Sequence, residues 1–310
     1  RFGYESPMRL WEGLPTTSSA RSAAVRPEED SRGPDVRMTL VKVNPTFSIL
    51  RVEETDSTNR MARALAESGA CDGTVVVAGR QTAGRGRLGR SWLSKGDFGL
   101  WFSVLLRPQF EPNLGGLLGI GAAVAVARAV DKLTGVRADL KWPNDVLIGG
   151  RKVCGVLAEA STVAGRLEWA VVGVGINLFA PEGGFPPELS QVATSLSEHL
   201  GPDTVITREC LLTAVLDELA DCISLLERGA RGARALADEA ERLMQAMIGR
   251  RIAVKAASGE YEAVAARMDD EGGLVALLDS GESIRVTSAD VSIGLGWART
   301  AKPAEEAPAR

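Results

Sequence analysis

The chain has 310 residues, of which 45% are hydrophobic and 25% charged, and its formal net charge is −4. This composition is typical of a soluble globular protein, and the slightly acidic balance excludes a protein that coats nucleic acid through bulk attraction. A single histidine, His199, and four cysteines without a C-x-x-C spacing exclude a zinc cluster and a histidine-based triad. Thiols without such a framework indicate a reducing, cytoplasmic location.

The N-terminal segment, residues 1–45, is predicted to be a disordered extension. Residues 1–37 contain six arginines, six acidic residues and four prolines, and their apolar residues follow neither a helical nor a strand period. A DNA-binding helix-turn-helix would need several periodic helices in this segment. We therefore expect no DNA partner.

Residues 46–247 are predicted to form a mixed α+β domain. Strands are predicted at 48–54, 73–79, 98–106, 139–150, 152–161 and 167–178, and helices at 56–69, 115–134, 193–200, 207–228 and 230–247. The most apolar segment, 115–130, is interrupted by Arg128, so we expect a buried core helix there and no membrane span. Strands cluster around a hairpin turn at Gly149 and Gly150 and do not alternate with helices, which favours α+β over a doubly wound sheet.

The C-terminal part of the chain changes in character after Gly249. Short strand patterns separated by glycine-containing turns over residues 248–296 predict a small β-barrel. Residues 297–310 consist mainly of alanine, proline and charged residues, and we predict that they form a disordered tail.

The stretch QTAGRGRLGRSW, residues 81–92, concentrates three glycines and three arginines in a chain that is acidic overall. Glycine-rich loops offer backbone N–H groups to anions, and guanidinium groups bind phosphate or carboxylate in a bidentate manner. Because glycines make a loop costly to order, we expect a ligand to order it. The spacing matches neither a Walker A loop nor a dinucleotide-binding fingerprint. Taken alone, the stretch leaves a solvated arginine loop and an RNA-binding segment open as alternatives.

Four further motifs accompany this loop along the chain. They are TDSTN (55–59), KWPNDV (141–146), RKVCGVLAE (151–159) and GVGINL (173–178). In this order and spacing, the five motifs resemble those of the biotin protein ligases, also called biotin–[acetyl-CoA-carboxylase] ligases. The resemblance extends from residue 48 to the end of the predicted C-terminal barrel near residue 295.

The resemblance implies an enzyme that activates biotin with ATP and Mg²⁺ as biotinyl-5′-AMP. The enzyme would then transfer biotin to one lysine of a biotin carboxyl carrier protein domain. The resemblance also implies the fold shared with class II aminoacyl-tRNA synthetases for residues 46–247 and an SH3-like barrel for residues 248–296. Because residues 1–45 lack the pattern of a winged helix, we expect a ligase without a repressor role. Pairing into a homodimer is left open by the sequence.

The resemblance assigns site residues position by position in the matching motifs. Biotin would contact Ser57, Thr58, Asn59, Gln81, Gly84, Arg85, Gly86, Arg87, Lys152 and Gly155. ATP and the adenylate would contact Arg85, Arg87, Arg90, Trp92, Asn144, Lys152 and Asn177. Lys152, Arg87 and Asp145 would carry the catalysis. Asp145 would serve either as the base for the acceptor lysine or as a ligand of Mg²⁺, most of whose ligands would be ATP phosphates.

Elementary chemistry agrees with these roles. Attack of a carboxylate on a phosphate brings two anions together, so the reaction needs positive charge rather than a histidine base. The ureido group of biotin needs fixed hydrogen-bond partners, and a pair of hydroxyl groups at the start of a helix can supply them.

Each motif also has a purely structural interpretation. Ser57 and Thr58 could only cap a helix, KWPN could only end a strand in a turn, and Lys152 could be a solvated hairpin residue. The glycines of GVGINL could only allow close packing, and Trp92 could anchor the loop instead of stacking on adenine. We interpret Cys154 as core filling.

Two other functions stay open at this point. A lipoate–protein ligase shares the catalytic architecture, although the G-R-G-R-x-G motif favours biotin. A non-catalytic nucleotide- or RNA-binding module could use the arginine loop without any chemistry, and its binding would be strongly salt-dependent.

Overall fold

The structure, a computed structural model, describes residues 39–42, 46–256 and 259–293. The predictions of disorder for 1–37 and 297–310 therefore lie outside the described residues. Within them the fold is mixed α+β, as the sequence predicts.

Eight of the described strands form one large sheet. They are β1 (Thr39–Lys42), β2 (Ser48–Thr55), β3 (Thr74–Gln81), β4 (Gly99–Leu106), β5 (Asp139–Lys141), β6 (Asp145–Ile148), β7 (Arg151–Val163) and β8 (Arg166–Asn177). Their spatial order is β1-β2-β3-β4-β8-β7-β6-β5. Strands β2 and β3 pair in parallel, and the other neighbours in this sheet pair antiparallel.

Strand β1 lies inside the segment 1–45 that the sequence predicts to be disordered, so the predicted boundary at residue 46 is wrong for this stretch. Its four residues pair with Ser48–Arg51 of β2. A four-residue stretch is too short to show a strand period, and the edge of β2 supplies its backbone partners. The order of this segment therefore depends on a neighbour and not on its own pattern.

Four described α-helices cover the sheet. Helix α1 (Thr58–Glu67) packs on one face, whereas α2 (Gly116–Thr134), α3 (Arg208–Leu226) and α4 (Ala230–Leu243) pack on the other. Successive strand residues serve opposite faces, so that Val75 and Val77 join the α2 side while Val76 joins the α1 side. The helix predicted at 193–200 is only a 3₁₀ turn, Leu196–His199.

Helix α2 is the central core helix. Together with the preceding 3₁₀ turn it is long and apolar enough to cross a membrane by length and composition, with a mean hydropathy of 1.5. However, 72% of its most apolar window is buried inside the protein, between the sheet and helices α3 and α4. The prediction of a buried core helix is thus confirmed.

The C-terminal strands form a second, antiparallel sheet. It contains β9 (Arg251–Ala256), β10 (Gly259–Met268), β11 (Leu274–Leu277), β12 (Ser283–Val286) and β13 (Asp290–Ile293), in the order β12-β11-β10-β9-β13. The turn between β10 and β11 contacts the turn between β5 and β6, because the indole N–H of the buried Trp142 donates to the carbonyl of Gly272 at 2.9 Å. The amide of Asn113 donates to the Glu271 carboxylate, also at 2.9 Å.

Candidate functional site

A cleft of about 530 Å³ opens on the α1 face of the large sheet, a size suited to a small-molecule ligand. Residues from the start of α1, the arginine loop, strands β6 to β8, the loop after β8 and the C-terminal sheet line it. Nearly all of the predicted site residues line this cleft: Ser57, Thr58, Asn59, Gln81, Arg85, Gly86, Arg87, Arg90, Trp92, Asn144, Asp145, Lys152, Gly155 and Asn177.

Two rows of residues that run across β4, β8 and β7 lie on the side of the sheet that faces the cleft. Residues that pair directly across strands point to the same face of the sheet. One row is Ser103, Gly173 and Leu157, and the other is Trp101, Gly175 and Gly155. The small residues of these rows leave space above the sheet.

Two glycines of the GVGINL motif make room for predicted site residues. A Cβ atom on Gly173 would lie 1.8 Å from Oδ1 of Asn59, and one on Gly175 would lie 2.5 Å from Nε1 of Trp92. Both distances are too short for non-bonded atoms. The motif therefore allows close packing, and the groups that pack on it belong to the cleft.

The end of the cleft beneath α1 is buried and polar. Ser57, Thr58, Asn59 and Gln81 are all at least nine-tenths buried. The backbone N–H of Thr58 donates to Oε1 of Gln81 at 2.8 Å, and the Gln81 amide donates to the hydroxyl of Ser94 at 3.1 Å. Ser57 stands at the N-cap position, but its side chain makes no capping hydrogen bond. Helix capping alone therefore does not account for this hydroxyl.

The arginine loop folds as a small hairpin above the cleft. Arg85 forms a backbone bridge with Ser91, and the N–H of Gly86 donates to the carbonyl of Arg90 at 2.8 Å. The tip is the exposed Leu88, whose φ of 56° lies in the left-handed region, a strained conformation for leucine.

The lining of the cleft is strongly cationic. Arg85, Arg87, Arg90, Lys141 and Lys152 line it, against the single carboxylate of Asp145 among the described lining residues. The Arg87 guanidinium contacts Asn144 Oδ1 at 3.4 Å and Ser288 Oγ at 3.5 Å, so it connects the turn between β5 and β6 with the turn between β12 and β13. This charge balance suits an anionic ligand.

Gly84 is the one predicted ligand contact that does not line the cleft. A Cβ atom at this position would lie 2.3 Å from the Ser94 hydroxyl and 2.7 Å from the Trp92 carbonyl oxygen. Gly84 therefore permits the tight base of the arginine loop, and its contact with the ligand stays a prediction.

Lys152 is held ready at the centre of the cleft. Its Nζ lies 2.6 Å from Oδ1 of Asp145 and 5.1 Å from the ring centroid of Trp92, within the range of a cation–π contact. The Trp92 ring also packs edge-on against Trp101 with centroids 6.4 Å apart. Trp92 anchors the loop on the sheet, and its buried Nε1 has no hydrogen-bond partner in the described part of the chain.

A β-bulge turns Lys152 toward the cleft. The register between β6 and β7 shifts after the pair Val146–Cys154, so that Lys152 pairs with Leu147. Val153 and Cys154 both enter the core, and the extra residue places Lys152 on the same face as Gly155. Without the shift, strict alternation would direct the lysine into the apolar core.

The loop after β8 clamps the backbone of Lys152. The Lys152 N–H donates to the carbonyl of Val192 at 2.7 Å, and the N–H of Thr194 donates to the Lys152 carbonyl at 2.9 Å. The side-chain amide of Asn177 in turn donates to the carbonyl of Thr194 at 3.1 Å. Asn177 therefore supports the clamp as well as lining the cleft.

Sequence reasoning missed several residues that shape the site. Ser94, Ser103 and Thr194 are fully buried, and Ala289, Val291 and Ser292 of the C-terminal sheet line the cleft. Ser103 gave a usable signal, because it is a polar residue inside the otherwise apolar strand FGLWFSVLL. The C-terminal residues gave none, since their proximity depends on how the two sheets pack.

Cys154 is fully buried in the main core. Burial raises the pKa of its thiol well above the usual range, so the thiol stays protonated and the interpretation as core filling is confirmed. Among the residues that the structure describes, no three His, Cys, Asp or Glu side chains form a group that could hold a metal ion.

His199 contacts the loop after β8 through the side chain of Thr194. Its Nε2 lies 2.9 Å from the hydroxyl of Thr194. Partial burial, followed by the nearby Arg151, lowers the pKa of His199 below its usual value, although Glu198 opposes this shift. The folded state favours the neutral ring, so His199 makes the free energy of unfolding depend on pH. Its contribution to stability is complete above the unfolded-state pKa of about 6.5 and is lost as the pH falls through the folded-state pKa.

We expect proton NMR to report this shift directly, because His199 is the one histidine in the sequence. Its ring resonances should titrate below about pH 6.5 in the folded protein and near that value in urea. Arg151→Gln should move the folded-state pKa upward, since it removes one cause of the shift. A folded-state pKa equal to the urea value would contradict the assigned burial.

Together, the α+β fold and a cleft with one buried polar end and one cationic lining define a binding site for a small anionic ligand. The chain matches the Biotin/lipoate A/B protein ligase family over residues 52–177. It is 35% identical over 249 residues to the bifunctional ligase/repressor BirA of Bacillus subtilis, covering 77% of this chain and 71% of that protein.

Two further relatives agree with this match. The biotin–[acetyl-CoA-carboxylase] ligase of Mycobacterium tuberculosis is 35% identical over 248 residues, which cover 77% of this chain and 86% of that protein. The structure of the biotin protein ligase of Aquifex aeolicus in complex with biotin and ATP has a TM-score of 0.67 and 31% identity, covering 79% of this chain and 98% of that one. The chain belongs to the biotin protein ligase family and is a ligase enzyme.

Proposed function

We propose that this protein activates the carboxylate of biotin with ATP as biotinyl-5′-AMP and then transfers biotin to a lysine of a biotin carboxyl carrier protein domain. The observation that carries the proposal is the division of one cleft into a buried polar end and a cationic part. The related ligase of Aquifex aeolicus has been solved with biotin and ATP, and two ligands of that chemistry fit such a division.

The buried end suits the ring system of biotin. Thr58 and Gln81 offer a hydroxyl and an amide, which are held in place because the backbone N–H and the hydroxyl of Thr58 both donate to Oε1 of Gln81. A ureido group needs both donors and acceptors at fixed positions. The glycine floor at Gly173 and Gly175 leaves a flat surface beside them. The biotin carboxylate would then point toward Lys152.

The cationic part suits the adenylation step. The biotin carboxylate attacks the α-phosphorus of ATP, an oxygen–phosphorus bond forms, and pyrophosphate leaves. Lys152 and Arg87 would stabilise the negative charge that the two reacting groups bring together, with Arg85, Arg90 and Asn144 beside the nucleotide. Asp145 and the side-chain oxygen of Asn144 would help to hold a Mg²⁺ ion together with the phosphates of ATP, and the ion would offset the negative charge of those phosphates.

The transfer step needs a base for the incoming lysine. Asp145 supplies the one carboxylate among the described residues that line the cleft, and it is paired with Lys152 Nζ at 2.6 Å. The acceptor amine attacks the acyl carbon of the adenylate, AMP leaves, and Asp145 would take the proton that the amine loses.

The relatives named biotin–[acetyl-CoA-carboxylase] ligase support a carboxylase carrier domain as the protein substrate. We also propose that the first domain, which extends from β1 to about residue 247, has the fold of class II aminoacyl-tRNA synthetases, and that residues 248–296 form an SH3-like barrel. A cytoplasmic location accords with ATP as a substrate.

A two-part assay tests the proposal. Pyrophosphate release is measured with ATP and Mg²⁺ in the presence of biotin, lipoate or neither acid. Biotin attachment is then followed by mass spectrometry on a biotin carboxyl carrier domain, with the acceptor Lys→Arg variant of that domain as control. We expect biotin-dependent pyrophosphate release and a carrier modified at one lysine. Turnover with lipoate alone, or salt-dependent RNA binding without any turnover, would favour one of the alternatives.

The arginine loop provides a second check on the ligand. Arg85 and Arg90 are exposed in the hairpin, so trypsin should cleave there in the ligand-free protein. If biotin orders the loop, adding it should slow cleavage at these sites severalfold. Cleavage at arginines outside the cleft, such as Arg228, serves as the internal control. Equal rates with and without bound biotin would contradict coupled ordering.

A further inference from the structure

A chain of hydrogen bonds lies directly beneath the buried polar end of the cleft. Its central member is Ser103, a fully buried residue of β4 that does not itself line the cleft. The Ser103 hydroxyl oxygen lies 2.7 Å from Oδ1 of Asn59 and 2.8 Å from the hydroxyl oxygen of Thr58. Thr58 does line the cleft.

The surroundings fix the orientation of the Asn59 amide. Its Nδ2 donates to the carbonyl of Leu157 at 3.1 Å and to the carboxylate of Glu159 at 2.8 Å. A backbone carbonyl can only accept, so the NH₂ group must face Leu157 and the amide oxygen must face Ser103. Gly173 leaves the space that this amide occupies.

The orientation of Asn59 determines the direction of the remaining bonds. Ser103 has one hydroxyl proton, and the amide oxygen of Asn59 can only accept it. The Thr58 hydroxyl must then donate its own proton, either to the Ser103 oxygen or to Oε1 of Gln81 at 3.2 Å. That Gln81 oxygen already accepts the backbone N–H of Thr58. Each neighbour of the Thr58 hydroxyl in this network is therefore an acceptor.

We propose that Ser103 is a positioning residue that sets ligand specificity by holding the Thr58 hydroxyl as a hydrogen-bond acceptor toward the cleft. The hydroxyl proton of Thr58 is donated within the network. The lone pairs of the Thr58 hydroxyl oxygen therefore face the ligand and select an N–H donor there. The inference rests on the proposed function, in which the donor is one N–H of the biotin ureido ring. The dithiolane ring of lipoate carries no donor and would leave this acceptor unpaired, which is costly in a buried site.

The test compares biotin with its two cyclic carbamate analogues, in each of which one ureido N–H is replaced by oxygen. The readout is kcat/KM for pyrophosphate release with saturating ATP. The wild-type protein should disfavour one of the two carbamates by roughly tenfold, because that oxygen faces the lone pairs of Thr58. In Ser103→Ala the Thr58 proton keeps only the longer contact of 3.2 Å to Oε1 of Gln81, an oxygen that already accepts the N–H of Thr58. The hydroxyl can then turn its proton toward the ring, so the preference should fall to about twofold, with the KM for ATP unchanged.

Thr74→Val is the matched control, because Thr74 is another buried hydroxyl in the same sheet and donates to the carbonyl of Cys71 at 2.8 Å. It should leave the preference intact. If Ser103→Ala fails to fold by circular dichroism, Ser103→Cys, which preserves the volume, takes its place. Full discrimination in the Ser103 variant, or none in the wild type, overturns the inference. Absence of pyrophosphate release with biotin itself overturns the proposed function, and the inference falls with it.

Discussion

Lys152→Ala is expected to lower the rate of adenylate formation by roughly 100-fold to 1000-fold, the loss typical of one preorganised charge contact. Lys152 is placed by the β7 bulge and by backbone hydrogen bonds to Val192 and Thr194. Its ammonium group is therefore in position before a ligand arrives. Charge that is already in place where negative charge develops contributes most to lowering the barrier.

The measurement is pyrophosphate release with biotin and ATP, together with the thermal unfolding of each variant. Lys132→Ala is the matched control, since Lys132 Nζ also pairs with a carboxylate, Glu218 at 3.1 Å, but lies outside the cleft. It should keep the wild-type rate. A near wild-type rate in Lys152→Ala would show that the cation acts only as a structural partner of Asp145.

Arg87→Gly separates the second catalytic cation from the first. Arg87 is carried by the hairpin loop, and its guanidinium contacts Asn144 at 3.4 Å and Ser288 at 3.5 Å. We expect this variant to make adenylate but to release part of it before the carrier lysine reacts, because an added glycine makes loop closure more costly. Comparing adenylate synthesis with carrier biotinylation tests this. No adenylate with Arg87→Gly, combined with normal synthesis in Lys152→Ala, would reverse the two assignments.

The fold class was predictable because its signals are local. The apolar run of α2 and the β-branched strands β3, β7 and β8 show their periods within a dozen residues. The short motifs also identify most residues of the cleft, since Thr58, Gln81 and Lys152 all stand in them. Strand β1 was missed because its order depends on pairing with β2.

The remaining features of the site depend on contacts between distant parts of the chain. Ser103 reaches Asn59 only because β4 lies beside β8 in the sheet. The orientation of the Lys152 side chain depends on a register shift between β6 and β7 that the residue pattern does not predict. Likewise, Val291 lines the cleft because the C-terminal sheet packs against Trp142. Strand order, register and domain packing are long-range properties, and a single sequence does not encode them in any local period.

Gly173→Ala is expected to damage both stability and biotin binding, because the added methyl group would lie 1.8 Å from Oδ1 of Asn59 and 2.8 Å from its Cγ. The amide cannot move away without breaking its bonds to Leu157, Glu159 and Ser103. Overpacking of this kind costs about 1–3 kcal/mol. We therefore expect a lower midpoint in urea unfolding and weaker biotin binding by calorimetry.

Gly119→Ala is the matched control for this substitution. Its Cβ would meet the Cβ of Ala158 at 3.7 Å, an ordinary contact, and alanine in the interior of helix α2 is favoured over glycine by about 1 kcal/mol. This variant should be as stable as the wild type or more so, with unchanged biotin affinity.

A double-mutant cycle then tests the cause, because Asn59→Ala removes the amide that the new methyl group would meet. Gly173→Ala should cost much less stability in the Asn59→Ala background than in the wild type, giving a coupling of about 1 kcal/mol or more. If the two losses simply add, the damage does not pass through Asn59, and the role assigned to this glycine is wrong.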